Sequence, residues 1–221
     1  MIKNTNGNII LKIILLGAGF LVLTAGAYML FTPRAKVSQK FINKYNEAAS
    51  LNSEMFKALE NDLSAMEQID QKEKVKDYNG IGKIVDDALV QTSSAAGKVD
   101  LHKQRVSELR SLSSKISDPE VKNKSLTLIG FMEEEDTHLT KGFDDLKQLL
   151  GLLRSYYSGL AAGSNPSFPA STETLISQTN AESKIIVELS DKIVSARDDF
   201  FKAAGLEVDD TSTPSTETPT K

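Results

Sequence analysis

The run Glu133-Glu134-Glu135-Asp136-Thr137-His138-Leu139 contains a Glu-x-x-His, formed by Glu135 and His138. On a helix these two side chains stand one turn apart on one face, the spacing of half a di-metal carboxylate centre in a bundle. The chain's other histidine is His102. His102, Glu135 and His138 form a two-histidine, one-carboxylate set of the kind that binds a divalent transition metal. A complete di-metal centre needs a second Glu-x-x-His and further glutamates, and the chain has one such motif and two histidines in all. The same residues have plainer readings. They can form a polar layer that fixes helix register and partner choice in a core, or an acidic face turned to water.

Periodicity chooses among these readings. Apolar residues recur at spacings of three and four in four stretches. The first runs from Phe41 through Tyr45, Ala48, Met55, Leu59 and Met66 to Ile69. The second runs from Ile81 through Val85, Val99 and Val106 to Ile116, and the third from Leu128 through Leu139, Phe143 and Leu153 to Leu160. The fourth runs from Leu175 through Ile186, Ile193 and Phe200 to Ala203. Asp118-Pro119 reads as an N-cap with proline in the first helical turn, and Gly205 as a C-terminal stop. Stretches of about 30 to 45 residues make helices of about 45 to 65 Å. Short connections between them force antiparallel neighbours, so the expected fold is all-α: an up-down-up-down four-helix bundle over residues 34–205.

In this pattern His102 falls between Val99 and Val106, and Glu135 between Met132 and Leu139, at positions that ask for apolar side chains. Folding the second and third helices back around Asp118-Pro119 sets them level. The sequence therefore predicts a polar seam of His102 and Glu135, with His138 one turn away, Arg197 roughly level and Asn52 about one turn off. Glu182 is a second polar intrusion, which Asp62 and Asp87 can approach; three carboxylates together would attract a cation or a proton, whereas acidic side chains ordinarily face water. Tyr156-Tyr157, at the far end of the bundle, suggests a contact patch, one ring of which belongs in the core.

The bundle follows an uncharged run of 19 residues, Ile13 to Phe31, extended past Lys12 by Ile9 to Leu11. Its length as a helix matches the roughly 30 Å hydrocarbon thickness of a bilayer. Residues 9–31 are read as a transmembrane signal-anchor helix behind a short polar tail of residues 1–8. Ala25-Gly26-Ala27 also fits a signal-peptide cleavage pattern, but Tyr28 to Phe31 carry the apolar run beyond it. Arg34, Lys36, Lys40 and Lys44 follow; the three lysines share one helical face, which suits anionic lipid headgroups and also suits ordinary residues flanking a span. Residues 206–221, rich in Ser, Thr and Pro, read as a disordered tail.

Composition narrows the function. The chain has 221 residues, no Cys, no Trp and a net charge of -4. Thiolate chemistry, disulfides and lipid attachment at a cysteine are excluded. Residues 1–46 carry six Lys and Arg and no acid, which leaves the rest strongly acidic and unsuited to nucleic acid. There is no phosphate-binding glycine loop, no Gly-x-Ser-x-Gly and no His-Glu-x-x-His; Asn123-Lys124-Ser125 matches a glycosylation sequon. The expectation is a single-pass membrane protein of the cell envelope that is not an enzyme and takes no cofactor. Its partners would be membrane lipid and a protein, or further copies of itself, and its role binding, scaffolding or spacing. The alternative is a bundle that senses a ligand or metal through His102, Glu135 and His138. Positive charge flanks the span almost evenly, leaning toward a cytoplasmic body. An extracytoplasmic one is nevertheless favoured, because long domains translocate largely regardless of charge.

Overall fold

A computed structural model describes residues 28–30, 35–66 and 68–209, with the side chains of 28–30, 58–66 and 208–209 outside the description. The protein is an all-helical bundle. After a three-residue strand, β1 (Tyr28–Leu30), come helices α1 (Gln39–Met66), α2 (Ile69–Lys74), α3 (Tyr78–Ser113), α4 (Pro119–Ala161) and α5 (Ser171–Ala204), then strand β2 (Glu207–Asp209). Each long helix packs against the next in the chain, α1 on α3, α3 on α4 and α4 on α5.

Ion pairs give the direction of each pairing. Glu54 meets Lys98 and Glu47 meets Arg105 between α1 and α3. Asp86 meets Arg154 and Arg110 meets Glu133 between α3 and α4, and Lys124 meets Asp199 and His138 meets Glu182 between α4 and α5. As one partner advances along its helix the other retreats, so every adjacent pair is antiparallel. Phe41 and Tyr45 of α1 touch Phe200 and Phe201 of α5, with ring centroids 5.4 and 5.7 Å apart.

The helix starts are the ones the sequence encodes. Asp118 accepts hydrogen bonds from the backbone N–H groups of Glu120 and Val121, and Pro119 opens α4 without a donor to waste. Asp77 caps α3 by accepting from Gly80 N–H at 2.9 Å. Gly205 ends α5 in the left-handed region, φ 66°.

The first helical stretch departs from expectation. Instead of one helix running on through Ile69, α1 stops at Met66 and a separate short α2 starts at Ile69. No Gly or Pro interrupts this window. Ile69 is fully buried in the far half of the core and fastens α2 to it. Leu59, Met66 and Asp62 have side chains outside the described residues.

Both ends of the bundle's chain meet. Lys36 N–H donates to the carbonyl of Ala204 at 2.9 Å, and β1 pairs antiparallel with β2, Met29 opposite Val208. Two boundaries move as a result. Tyr28–Leu30, expected as the last turn of the span, are extended, and residues 206–209, expected in the disordered tail, are ordered, since Leu206 is buried and Glu207–Asp209 are paired. The rest of the expected span (residues 9–27 and Phe31) and residues 210–221 lie outside the described residues. Among the described residues no helix is long and apolar enough to cross a membrane.

The core is not continuous. One apolar cluster fills the half nearest the chain ends, with Ala48, Ala49, Val106, Met132 and Ile193 at its inner border. The other fills the far half, bordered by Met55, Val99, Leu139 and Ile186. On every long helix the gap falls at the same level, between Ala49 and Met55, Val99 and Val106, Met132 and Leu139, and Ile186 and Ile193.

Candidate functional site: a buried polar layer

The buried residues in those four gaps are His102, Glu135 with Asp136, and Ser190 with its apolar neighbour Leu189, and half-buried Asn52 fills the gap on α1. His102 and Glu135 are each 1% exposed and Asp136 is 2% exposed. They are buried because α4 lies between α3 and α5 and must turn one face to each. Glu135 and Asp136 are neighbours in sequence and so point to opposite flanks of one buried stripe. His102 Nδ1 lies 2.7 Å from Asp136 Oδ1. On the other flank Ser190 Oγ donates to Glu135 Oε1 at 3.1 Å. Thr140 donates to the carbonyl of Asp136 and accepts from Lys103, which ties the layer to the surface of the α3–α4 seam.

Three polar atoms at this level lie buried with no hydrogen-bond partner among the described residues: His102 Nε2, Asp136 Oδ2 and Asn52 Oδ1. Burial pushes the Glu135 carboxyl up to about 7, with Asp136 adding to the rise while His102 and the Ser190 hydrogen bond oppose it. Tyr45, buried on α1, has its hydroxyl pushed up by the same desolvation.

The predicted seam is thus present with a different pairing. His102 bonds Asp136 and not Glu135, whose hydrogen-bond partner is Ser190. Arg197 is not bonded into the layer; its guanidinium holds Asp198 and lies over the Phe201 ring. His138 turns to the other seam, where its Nδ1 is 2.5 Å from Glu182 Oε2 and Lys141 stands at the edge. The two histidines therefore serve different carboxylates on opposite flanks of α4. The metal set of His102, Glu135 and His138 does not gather, and no cluster of three or more ligating side chains occurs among the described residues. Of the two acids expected to approach Glu182, Asp87 is exposed and the Asp62 side chain lies outside the described residues.

Asp136 and Ser190 carry the layer's hydrogen bonds, and sequence reasoning missed both. The signal was there. Asp136 continues the alternating three-four series Ile129, Met132, Leu139, Phe143, and Ser190 sits between Ile186 and Ile193 in another. A single-stripe reading of α4 takes either Glu135 or Asp136; a helix with neighbours on two sides buries both.

A histidine oriented by an aspartate is the base half of a nucleophilic triad. Here the imidazole is sealed between helices, out of a substrate's reach, and the nearby serine is engaged by a carboxyl.

Elsewhere, Lys36 pairs with Asp118, and Lys44 with Glu47 and Glu108, so acids of the bundle hold two of the lysines assigned to the lipid surface. Lys40 is exposed, and Arg34 lies outside the described residues. Tyr156 and Tyr157 are both buried, against Phe168 and Tyr78, which removes the contact patch expected there. An open groove of about 570 Å³ runs between α4 and α5 past Lys124, Phe131 and Lys192, away from the layer. Comparison with protein-family models, with curated proteins and with solved structures returns no match for this chain.

Proposed function

We propose that this protein is a non-catalytic, membrane-anchored spacer or scaffold, an up-down-up-down four-helix bundle held at a membrane by residues 9–31. The observation that carries this reading is that the conspicuous polar groups of the interior bond one another, His102 to Asp136 and Ser190 to Glu135. What the bundle offers a partner is then its length and its surface. Helices of 36 and 43 residues span roughly 54 and 65 Å, and the two ends of the bundle's chain meet at one end, which leaves the other free to project. Lipid, together with a protein partner or further copies of the chain, is the expected company, and the extracytoplasmic side the expected location. The alternative role in metal sensing draws no support from the described residues.

Topology is the first test. With no native cysteine, Ser212→Cys gives a single reactive thiol for a membrane-impermeant maleimide. Labelling of intact cells is the expected result; labelling only after permeabilisation would move the bundle to the cytoplasm. Recovery of the chain in the soluble fraction would remove the anchor. Crosslinking in membranes should then trap a defined partner or oligomer, and a strictly isolated monomer would count against a scaffold.

A further inference from the structure

The layer contains a charge imbalance. Glu135 and Asp136 are two carboxyls, each at most 2% exposed, and one imidazole faces them. The groups around Glu135 are known from every side. Tyr45 on α1 is a neutral phenol. His102 on α3 is bonded to Asp136, which is itself the acidic neighbour on α4. Ser190 on α5 is a neutral donor, and Arg197, further along α5, is held by Asp198. The imidazole serves one carboxyl, that of Asp136. A second carboxylate at this depth would be an uncompensated buried charge, which several kcal/mol of desolvation opposes.

We propose that this layer is a proton-binding site and that the bound proton holds the two halves of the core together, making the middle of the bundle a pH-operated joint. With the proton on Glu135, the carboxyl is neutral and bonded to Ser190, and the four helices close around it. When the proton leaves for water, Glu135 becomes an anion beside Asp136, and the level of Asn52, His102, Glu135 and Ser190 is where the helices part to hydrate it. The gap between the two apolar clusters is what makes the opening local, because separation there breaks neither half-core. The partnerless atoms His102 Nε2, Asp136 Oδ2 and Asn52 Oδ1 stand ready to take up entering water. Neither the anchor nor the scaffold role is needed for this inference.

Hydrogen exchange of the full chain in detergent, compared at pH 5.5 and pH 8 after correction for intrinsic rates, reads the joint. Moving a buried carboxyl from 4.5 to about 7 weakens protection by roughly 30-fold between those pH values. The expected loss is confined to peptides around His102, Glu135 and Ser190. Glu135→Gln keeps the shape and the bond to Ser190 but cannot ionise, and should abolish the difference. An unchanged pH response in that variant, or protection in the natural chain that ignores pH, would overturn the proposal. Should the variant fail to fold, the carboxyl carbon of Glu135 can be followed by NMR in the natural chain. Titration near 7 supports the joint; titration in the ordinary glutamate range sinks it.

Discussion

At the scale of single residues, the layer's energetics depend on which partner is removed. Truncating one member of a buried hydrogen-bonded pair leaves the other without compensation, whereas replacing both with apolar groups can be nearly neutral. His102→Ala is therefore expected to cost about 3 to 5 kcal/mol of unfolding free energy. The double change His102→Leu with Asp136→Leu should cost clearly less. Urea denaturation of the three chains decides this, and a double variant weaker than the single one would mean that the pair adds net stability. Tyr157 presents the opposite case. Its ring is fully buried while its hydroxyl has no partner among the described residues, so Tyr157→Phe should leave stability unchanged or raise it by about 1 kcal/mol. A marked loss in thermal unfolding would reveal a bond that the hydroxyl makes in solution.

At the scale of elements, the helix ends are where the sequence speaks most directly. Asp118 caps α4, receives Lys36 and so joins the α3–α4 turn to the start of α1. Asp118→Ala is expected to cost about 1 to 2 kcal/mol, and a loss below a few tenths in chemical denaturation would show that cap to be dispensable. Gly205→Ala, which forces a Cβ into the left-handed region, should cost about 1 kcal/mol. The break between α1 and α2 was not legible, because no Gly or Pro marks it and Ile69, which opens α2, is held by the core of the bundle. The seam was legible in position but not in pairing. Adjacent carboxyls on α4 differ by about 100° in direction, and only the placement of α3 and α5 decides which one meets the histidine.

For the whole molecule, the raised carboxyl becomes a dependence of stability on pH. Glu135 binds its proton more tightly folded than unfolded, so its contribution is intact below about 4.5 and is lost as pH rises through about 7. The loss is about 3 kcal/mol above that range, taking roughly 1.4 kcal/mol per unit. Denaturation midpoints of the natural chain, less those of Glu135→Gln, should fall across this window and stay level above it. A difference that rises with pH would reverse the assignment.

The sequence by itself determined that the chain is helical, roughly where each long helix runs, that polar residues interrupt the core at one level, and that an uncharged run precedes the bundle. Spacing along a helix and the chemistry of caps are local, so they can be read from the order of residues. Tertiary structure alone decided that His102 takes Asp136, that Glu135 takes Ser190, and that His138 turns away to Glu182. It also decided that the chain ends meet through Tyr28–Leu30 and Glu207–Asp209. Those outcomes depend on the rotation of each helix about its axis and on which neighbours flank it. Packing two helices against opposite sides of α4 sets both at once, and no single helix records that in its own periodicity.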